Sequence, residues 1–216
     1  MNYLHSIFDF VLHLDKYLGS VILHYHEWTY ILLFTIIFCE TGLVVTPFLP
    51  GDSLLFVAGS LATSDGLNPT LLYFLLLIGA ILGNTVNYFI GRYLSEKILS
   101  QGKIRFIKSE YLDRTQSYYQ RYGGWTLIIA RFLPIVRTFA PFMAGVGKMN
   151  YMKFMVYNVV GAFLWISFFY LGGYLFGNLP IVRENFSLVV LIILVVSIVP
   201  LVAHFVRGYF KKVAVK

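Results

Sequence analysis

Four ionisable side chains lie in stretches of the sequence that are otherwise apolar. Two are acids and two are arginines, at positions Glu40, Asp52, Arg131 and Arg137. A charged side chain at the centre of a bilayer costs about 3 kcal/mol on insertion scales, so such residues usually face a partner or a water-filled cavity. Guanidinium groups match the oxygens of a phosphate, and carboxylates can titrate. The four residues therefore predict a charged cavity in which arginines bind an anion and acids exchange protons; the alternative is salt bridges between the acids and the arginines that bind no ligand.

The composition of the rest of the chain is that of an integral membrane protein. Hydrophobic residues make up 58% of the 216 residues and charged residues only 12%, which excludes an ordinary soluble domain. We predict one all-α membrane domain over residues 1–216, with about three full transmembrane helices at residues 70–91, 154–177 and 186–207. Polar and apolar residues alternate at helical spacing over residues 3–22 and 92–121, which indicates interfacial amphipathic helices.

The two acids lie on either side of a predicted helix break. Residues 28–45 are apolar apart from Glu40, and a second apolar stretch covers residues 54–62. The interruption between them contains Pro47, Pro50 and Gly51. The second stretch is only about 14 Å long by helical rise, too short to cross a bilayer. We therefore predict a re-entrant hairpin over residues 28–63, although Asp52 at its tip could equally act only as a helix cap.

The two arginines lie in a second interrupted segment, residues 124–147, between Pro134 and Pro141 or close to them. The distribution of basic residues decides whether this segment crosses the membrane. Residues 92–121 contain seven lysines and arginines, and the C-terminal tail is also basic, so both are expected in the cytoplasm. A crossing at 124–147 would place the lysines that follow it outside. A second re-entrant hairpin, with its tip near 134–141, keeps every basic segment in the cytoplasm.

Short motifs recur in the same order along the chain. Ala58-Gly59 matches Ala144-Gly145, and Gly91-Arg92-Tyr93-Leu94 matches Gly172-Gly173-Tyr174-Leu175. We predict a first repeat at residues 1–94, a second at 105–177, and a final transmembrane helix at 186–207. An odd number of crossings in each repeat makes the second copy inverted, which is a recurrent plan among transporters.

The motifs at the two hairpin tips resemble those of the bacterial DedA family. The first reads Glu40-x-Gly-Leu-x-x-x-Pro-x-x-Pro-Gly-Asp52, and the second reads Arg131-Phe-x-Pro-x-x-Arg137-x-x-x-Pro-x-x-Ala-Gly. The resemblance covers nearly the whole chain and extends to a wider superfamily that includes eukaryotic lipid scramblases. It implies a multi-pass protein of the bacterial inner membrane that flips undecaprenyl phosphate towards the cytoplasmic face, driven by the proton-motive force. The acids and arginines implicated in that family fall on the four charged positions.

The predicted function is therefore transport of a lipid phosphate. Arg131 and Arg137 would bind the phosphate, while Glu40 and Asp52 would couple its release to protons. The expected partners are undecaprenyl phosphate or another anionic lipid, protons and membrane lipids. A homodimer is a possible assembly, and the C-terminus is expected in the cytoplasm. No cofactor or metal ion is expected. Nucleic-acid binding is not expected either, since the net charge of +7 comes from residues beside the apolar segments.

Three asparagines in the predicted spans are further candidates. Asn84 and Asn87 share one helical face of residues 70–91, and Asn158 is their candidate counterpart in the second repeat. They either line the cavity or only form hydrogen bonds between helices.

Two other transport functions and one enzymatic function compete with lipid-phosphate flipping. An energy-independent phospholipid scramblase would use the same cavity without acid coupling. A proton-coupled exporter of small cations or drugs would use the acids, although the arginines favour an anion. A membrane lipid phosphatase is not expected, because neither hairpin contains a histidine.

Overall fold

Every regular element is helical in the part of the chain that the structure describes. The computed structural model describes residues 27–43, 51–62, 67–100, 124–193 and 195–196. Its elements are α1 (Glu27–Gly42), α2 (Gly51–Leu61), α3 (Pro69–Ser100), α4 (Trp125–Ala130), α5 (Pro134–Val146), α6 (Tyr151–Ile166), a π-helix (Ser167–Leu171), α7 (Gly172–Phe176) and α8 (Pro180–Glu184). The predicted all-α fold is confirmed for these residues.

Two helical segments are long and apolar enough to cross a membrane. They are Pro69–Lys97, with 29 residues, and Tyr151–Phe176, with 26, against the roughly 20 that a bilayer requires. The first continues past residue 91, where the sequence predicts its end. Its last turns are polar, and the ion pair between Arg92 and Glu96, one turn apart, stabilises the helix there. The second is α6, the π-helix and α7 in continuous succession. The third predicted span is helical over residues 186–193.

One face of α3 exposes large apolar side chains at helical spacing. Between 39% and 53% of the surface of each is exposed, for Leu71, Phe74, Ile78, Leu82, Val86 and Phe89. Such a stripe would be unfavourable in water and is favourable against lipid tails. The exposed face therefore fits a helix in a bilayer.

The segment that carries both arginines is broken, as predicted. Helix α4 ends at Ala130, a turn follows over residues 131–133, and Pro134 lies in the first turn of α5. Proline suits that position because its fixed φ is helical and its missing N–H would have no partner there. The break lies at residues 131–133, before the tip that the sequence predicts near 134–141. Pro141 lies inside α5, where it removes one backbone hydrogen bond without ending the helix.

Several predicted features lie outside the described residues. These are the interfacial helix at 3–22, most of the basic stretch 92–121, Pro47, Pro50 and the end of the last span.

The structure comprises two compact units, each held together by contacts among its own residues. The first unit contains α2, α7, α8 and residues 168–171 of the π-helix. The second contains α1 from Tyr30 onwards, α3 from Thr70 onwards, and α4, α5 and α6.

In the first unit, α2 packs directly against α7 and the end of the π-helix. A Cβ on Gly59 would collide with the carbonyl oxygen of Tyr170, and one on Gly173 would collide with that of Phe56. Glycine at both positions lets the two backbones touch, as is common in membrane helix pairs. The Tyr170 hydroxyl donates to the carbonyl of Pro69 at 2.8 Å, which ties the π-helix to the start of α3.

In the second unit, α3 and α5 make a contact of the same kind. A Cβ on Gly145 would collide with the carbonyl oxygen of Tyr88, and one on Gly91 would collide with that of Phe142. The ring of Tyr88 stacks on that of Phe154 with centroids 4.5 Å apart. A buried cluster surrounds this contact and contains Tyr88, Leu127, Ala130, Ala140, Ala144 and Phe154. This cluster holds the arginine-bearing segment against α3 and α6.

Candidate functional site

Glu40 and Arg137 form a buried salt bridge in the second unit. The Arg137 Nη2 donates to Glu40 Oε1, and the side chains are 3% and 0% exposed, respectively. Glu40 lies in the last turn of α1 and Arg137 in the first turn of α5. Each charge is at the helix end where the backbone dipole disfavours it. Helix stability therefore does not account for either residue, and each compensates the other.

The ring of Trp165 in α6 packs against the same arginine. The Arg137 Cζ lies 4.9 Å from the ring centroid. A guanidinium over an indole face gains a cation–π interaction, which is stronger when water is excluded. Arg137 is thus held by an acid and by an aromatic ring.

Arg131 is equally buried but is held differently. It lies in the turn after α4 and is 2% exposed. Its Nη2 donates to Asn158 Oδ1 at 2.5 Å and approaches the carbonyl of Ala80 at 3.5 Å. Among the described residues, no carboxylate lies within salt-bridge distance of Arg131, and its Nη1 has no hydrogen-bond acceptor. This positive charge is buried with neutral partners only.

Two asparagine side chains connect Arg131 to α1 and α3. Asn158 also donates to the carbonyl of Ile81 at 3.1 Å, which anchors its amide. The Asn84 amide satisfies its neighbours best with its oxygen towards Arg131 Nη2, at 2.8 Å, and its nitrogen towards the carbonyl of Thr41, at 3.2 Å. In the opposite orientation it would donate to Asn158 Oδ1, which already accepts from Arg131.

Asn87 bridges the two helices that carry the salt bridge. Its Nδ2 donates to the carbonyl of Thr41 at 3.2 Å and to that of Thr138 at 2.8 Å. The Thr41 carbonyl is near the end of α1, where backbone acceptors lack intrahelical donors. Asn84 and Asn87 are 4% and 0% exposed, and both form the hydrogen bonds between helices that were one of their two predicted roles.

Asp52, Gly51 and Pro134 lie at the ends of helices. Asp52 is in the first turn of α2, in the first unit, and is 5% exposed. An acid at this end of a helix is favoured by the backbone dipole. Gly51 is the first residue of α2, and Pro134 begins α5 directly after the turn that holds Arg131. The structure thus brings Glu40, Arg131 and Arg137 into one buried network of the second unit.

Trp165 and Gly161 belong to this site and were not predicted from the sequence. A Cβ on Gly161 would lie 3.0 Å from Arg131 Cδ, so the glycine clears space for the arginine. A tryptophan and a glycine inside an apolar span are ordinary packing residues by composition, and neither carried a signal. Asn158 did carry one, because it is polar within a predicted span.

Comparisons with known proteins identify the family. The VTT domain matches residues 49–175. The chain is 50% identical to Protein DedA of Escherichia coli (strain K12) over 209 residues, which cover 96% of this chain and 95% of the relative. It is 31% identical to the inner membrane protein YghB of Salmonella typhimurium, covering 83% and 82% of the two chains.

A third relative is the inner membrane protein YqjA of Escherichia coli (strain K12), which is 34% identical and covers 70% of this chain and 69% of its own. No solved structure matches the chain. The relatives named as inner membrane proteins support a location in the bacterial inner membrane. The resemblance of the two charged motifs is confirmed: this chain belongs to the DedA family of VTT-domain membrane proteins.

Proposed function

We propose that the protein flips a lipid phosphate, undecaprenyl phosphate in the first instance, across the bacterial inner membrane. The observation that carries the proposal is the pair of buried arginines in one network with Glu40. The described buried charges of the second unit sum to one net positive charge, which an anionic headgroup would neutralise. Arg131 and Arg137 both offer guanidinium forks that suit phosphate oxygens. The lipid tail stays in the bilayer.

Proton coupling follows from the salt bridge between Glu40 and Arg137. Protonation of Glu40 removes its charge and frees the Arg137 fork for the phosphate. Release of the phosphate lets Glu40 lose its proton and the ion pair form again. Asp52, buried at the start of α2, is the second proposed proton site. The ligand and the proton thus bias the same two-state contact.

We further propose the two re-entrant hairpins and the inverted repeat as the framework of transport. The helix break before Pro134 supports the second hairpin. The glycine contacts of α2 with α7 and of α5 with α3 support the repeat, because Gly59 and Gly145 occupy matching motifs. The two membrane-capable helices fit one crossing per repeat.

The proposal is tested with purified protein in liposomes that carry labelled undecaprenyl phosphate or labelled phosphatidylethanolamine, at two pH gradients. We expect flipping of the phosphate lipid only, at a rate that changes with the gradient. Arg137→Gln should abolish flipping, whereas Arg183→Gln, which removes an exposed arginine of α8, should not. Equal movement of both lipids without pH dependence would establish a scramblase. Movement of a cation with no lipid would establish an exporter.

The orientation in the membrane is tested by cysteine labelling. We replace Cys39, the single native cysteine, and introduce Asp65→Cys or Lys108→Cys. If the basic stretch and the C-terminus are cytoplasmic, a membrane-impermeant reagent added outside labels position 65 and spares position 108. The reverse pattern contradicts the proposed topology.

A further inference from the structure

We infer that the two arginines have different tasks: Arg131 is the resting-state receptor for the phosphate, and Asn158 and Asn84 position it while leaving its charge uncompensated. The inference rests on the proposed function and assigns its headgroup site. Arg137, by contrast, is occupied by Glu40 until that acid is protonated.

The two guanidinium groups differ in the charge of their hydrogen-bond partners. A carboxylate partner forms a charge-assisted bond that a phosphate must displace, whereas an amide or carbonyl oxygen leaves the positive charge available. All described acceptors of Arg131 are neutral: the side-chain oxygens of Asn158 and Asn84 and the carbonyl of Ala80. A buried guanidinium with neutral acceptors is therefore suited to bind an anion reversibly.

The geometry also leaves one donor edge of Arg131 unused. The three neutral acceptors all contact Nη2, and Nη1 has no acceptor among the described residues although it is fully buried. A buried unsatisfied donor costs about 1–3 kcal/mol, more when it is charged, so it calls for a ligand or another function. A phosphate oxygen at Nη1 would satisfy it without displacing either asparagine.

Helix α6 is shaped for this role. Asn158 is itself held by the carbonyl of Ile81 at 3.1 Å and by the Thr85 hydroxyl at 3.4 Å, so its oxygen has a defined direction. One turn later, Gly161 leaves room beside Arg131 Cδ. Helix α6 therefore orients the guanidinium of Arg131 through Asn158 and leaves space for its side chain at Gly161.

The ligand class follows from the charge of the network. Glu40, Arg131 and Arg137 leave one net positive charge buried in the described part of the second unit. A lipid monophosphate, which carries a charge of about −1.5 to −2 at neutral pH, offsets this positive charge, while a zwitterionic headgroup would bring its own cation beside the two arginines. The site should therefore select a monophosphate over both an uncharged lipid alcohol and phosphatidylethanolamine.

Asn158→Asp tests the inference, because it keeps the shape of the side chain and supplies Arg131 with a carboxylate. The probes are farnesyl monophosphate and farnesol, titrated into the full-length protein in detergent. We expect the wild type to prefer the monophosphate and Asn158→Asp to lose about tenfold or more of that preference, because an acid now competes for the guanidinium. Asn150→Asp, an exposed cap at the start of the same helix, should leave the preference unchanged.

The ratio of the two affinities distinguishes a positioning role from a structural one, since a merely structural defect would weaken both probes or only lower the melting temperature. If the wild type does not distinguish the probes, the proposed function fails and the inference with it. If the wild type does and Asn158→Asp retains the full preference, the function stands and the inference is overturned. If Asn158→Asp does not accumulate, Asn84→Asp presents the same charge to Arg131 from α3 and is read by the same ratio.

Discussion

The two compact units are packed alike and differ in what they bury. In the first, Gly59 of α2 faces the carbonyl of Tyr170, and Gly173 of α7 faces the carbonyl of Phe56 in α2. In the second, Gly145 and Gly91 do the same for α5 and α3. Both contacts are made by backbone, with the glycine of each helix facing a carbonyl of the other.

The buried polar groups of the two units are unlike. Two described hydrogen bonds of the first unit join neutral groups far apart in the sequence: the Ser53 hydroxyl donates to the carbonyl of Val190 at 3.4 Å, and the Asn178 amide donates to that of Ser60 at 3.1 Å. Asp52 is its buried acid. The second unit buries an acid, two arginines and three asparagines in one network.

This difference shows how packing and chemistry can be separated in a repeated fold. A contact made by glycine and backbone does not depend on neighbouring side chains, so those side chains are able to diverge without loss of the helix pair. The repeat itself stays a prediction, supported by the matching contacts. If packing is shared and charge distinguishes the second unit, glycine substitutions should act alike in both units, whereas the substitutions with the largest effects should fall on the buried charges of the second.

The largest expected effect is on the buried ion pair. Glu40→Ala removes the acid that pairs with buried Arg137 and should destabilise the protein by about 3–5 kcal/mol. The double variant Glu40→Gln with Arg137→Gln removes both charges and should recover most of that stability but no transport. Thermal unfolding in detergent and the liposome assay give the two readouts. A single variant as stable as the wild type would show that the charge is compensated elsewhere.

The shared packing should respond equally in both units. Gly59→Ala and Gly145→Ala each force a methyl group against a backbone carbonyl, which should cost about 1–3 kcal/mol. Gly172→Ala is the matched control, since among the described residues its Cβ would meet only Phe56 Cδ2, at 3.9 Å. The control should be neutral or gain up to about 1 kcal/mol from helix propensity. Tolerance of alanine in one unit alone would break the comparison.

Buried aromatic residues should separate stability from function. Trp165→Phe weakens the cation–π contact with Arg137 and should cost about 1 kcal/mol together with a reduced transport rate. Phe186→Leu in the first unit loses its contact with Phe56, at 6.0 Å between centroids, and should lower stability by a similar amount with transport per folded molecule unchanged. Melting temperature and flipping rate are compared for the two variants. An equal loss of transport in both would show that the contact of Phe186 with Phe56 also supports transport, and that the cation–π contact is not special to it.

Much of this arrangement was predictable from local sequence. Prolines and glycines predicted where helices would end, and uninterrupted apolar runs predicted the two long helices. The four charged residues were identified because an ionised side chain in an apolar stretch is energetically costly and therefore indicates a partner or a polar cavity. Glu40 and Arg137 were both identified as candidate site residues by that rule.

The rest depends on tertiary contacts that leave no local signal. Pro141 looks like a second break, yet α5 continues through it because surrounding packing holds the helix. The π-helix at Ser167–Leu171 has an ordinary apolar sequence; the hydrogen bond between Tyr73 and Ser167, at 2.7 Å, joins it to α3. The neutral partners of Arg131 come from helices far apart in sequence, which periodicity alone does not pair.

The smallest expected effect concerns a second ion pair with the same residue types. Arg92 and Glu96 lie one turn apart on α3 with Nε and Oε1 at 3.3 Å, and their side chains are 42% and 53% exposed. Because solvent screens such a pair, Glu96→Gln should change stability by less than about 0.5 kcal/mol and leave transport unaffected. Glu40→Gln, measured alongside it by thermal unfolding, makes the same chemical change at a fully buried site and should cost several times more. If the two variants cost the same, burial is not what makes the charged network of the second unit different, and the contrast between the units would have to rest on the asparagines instead.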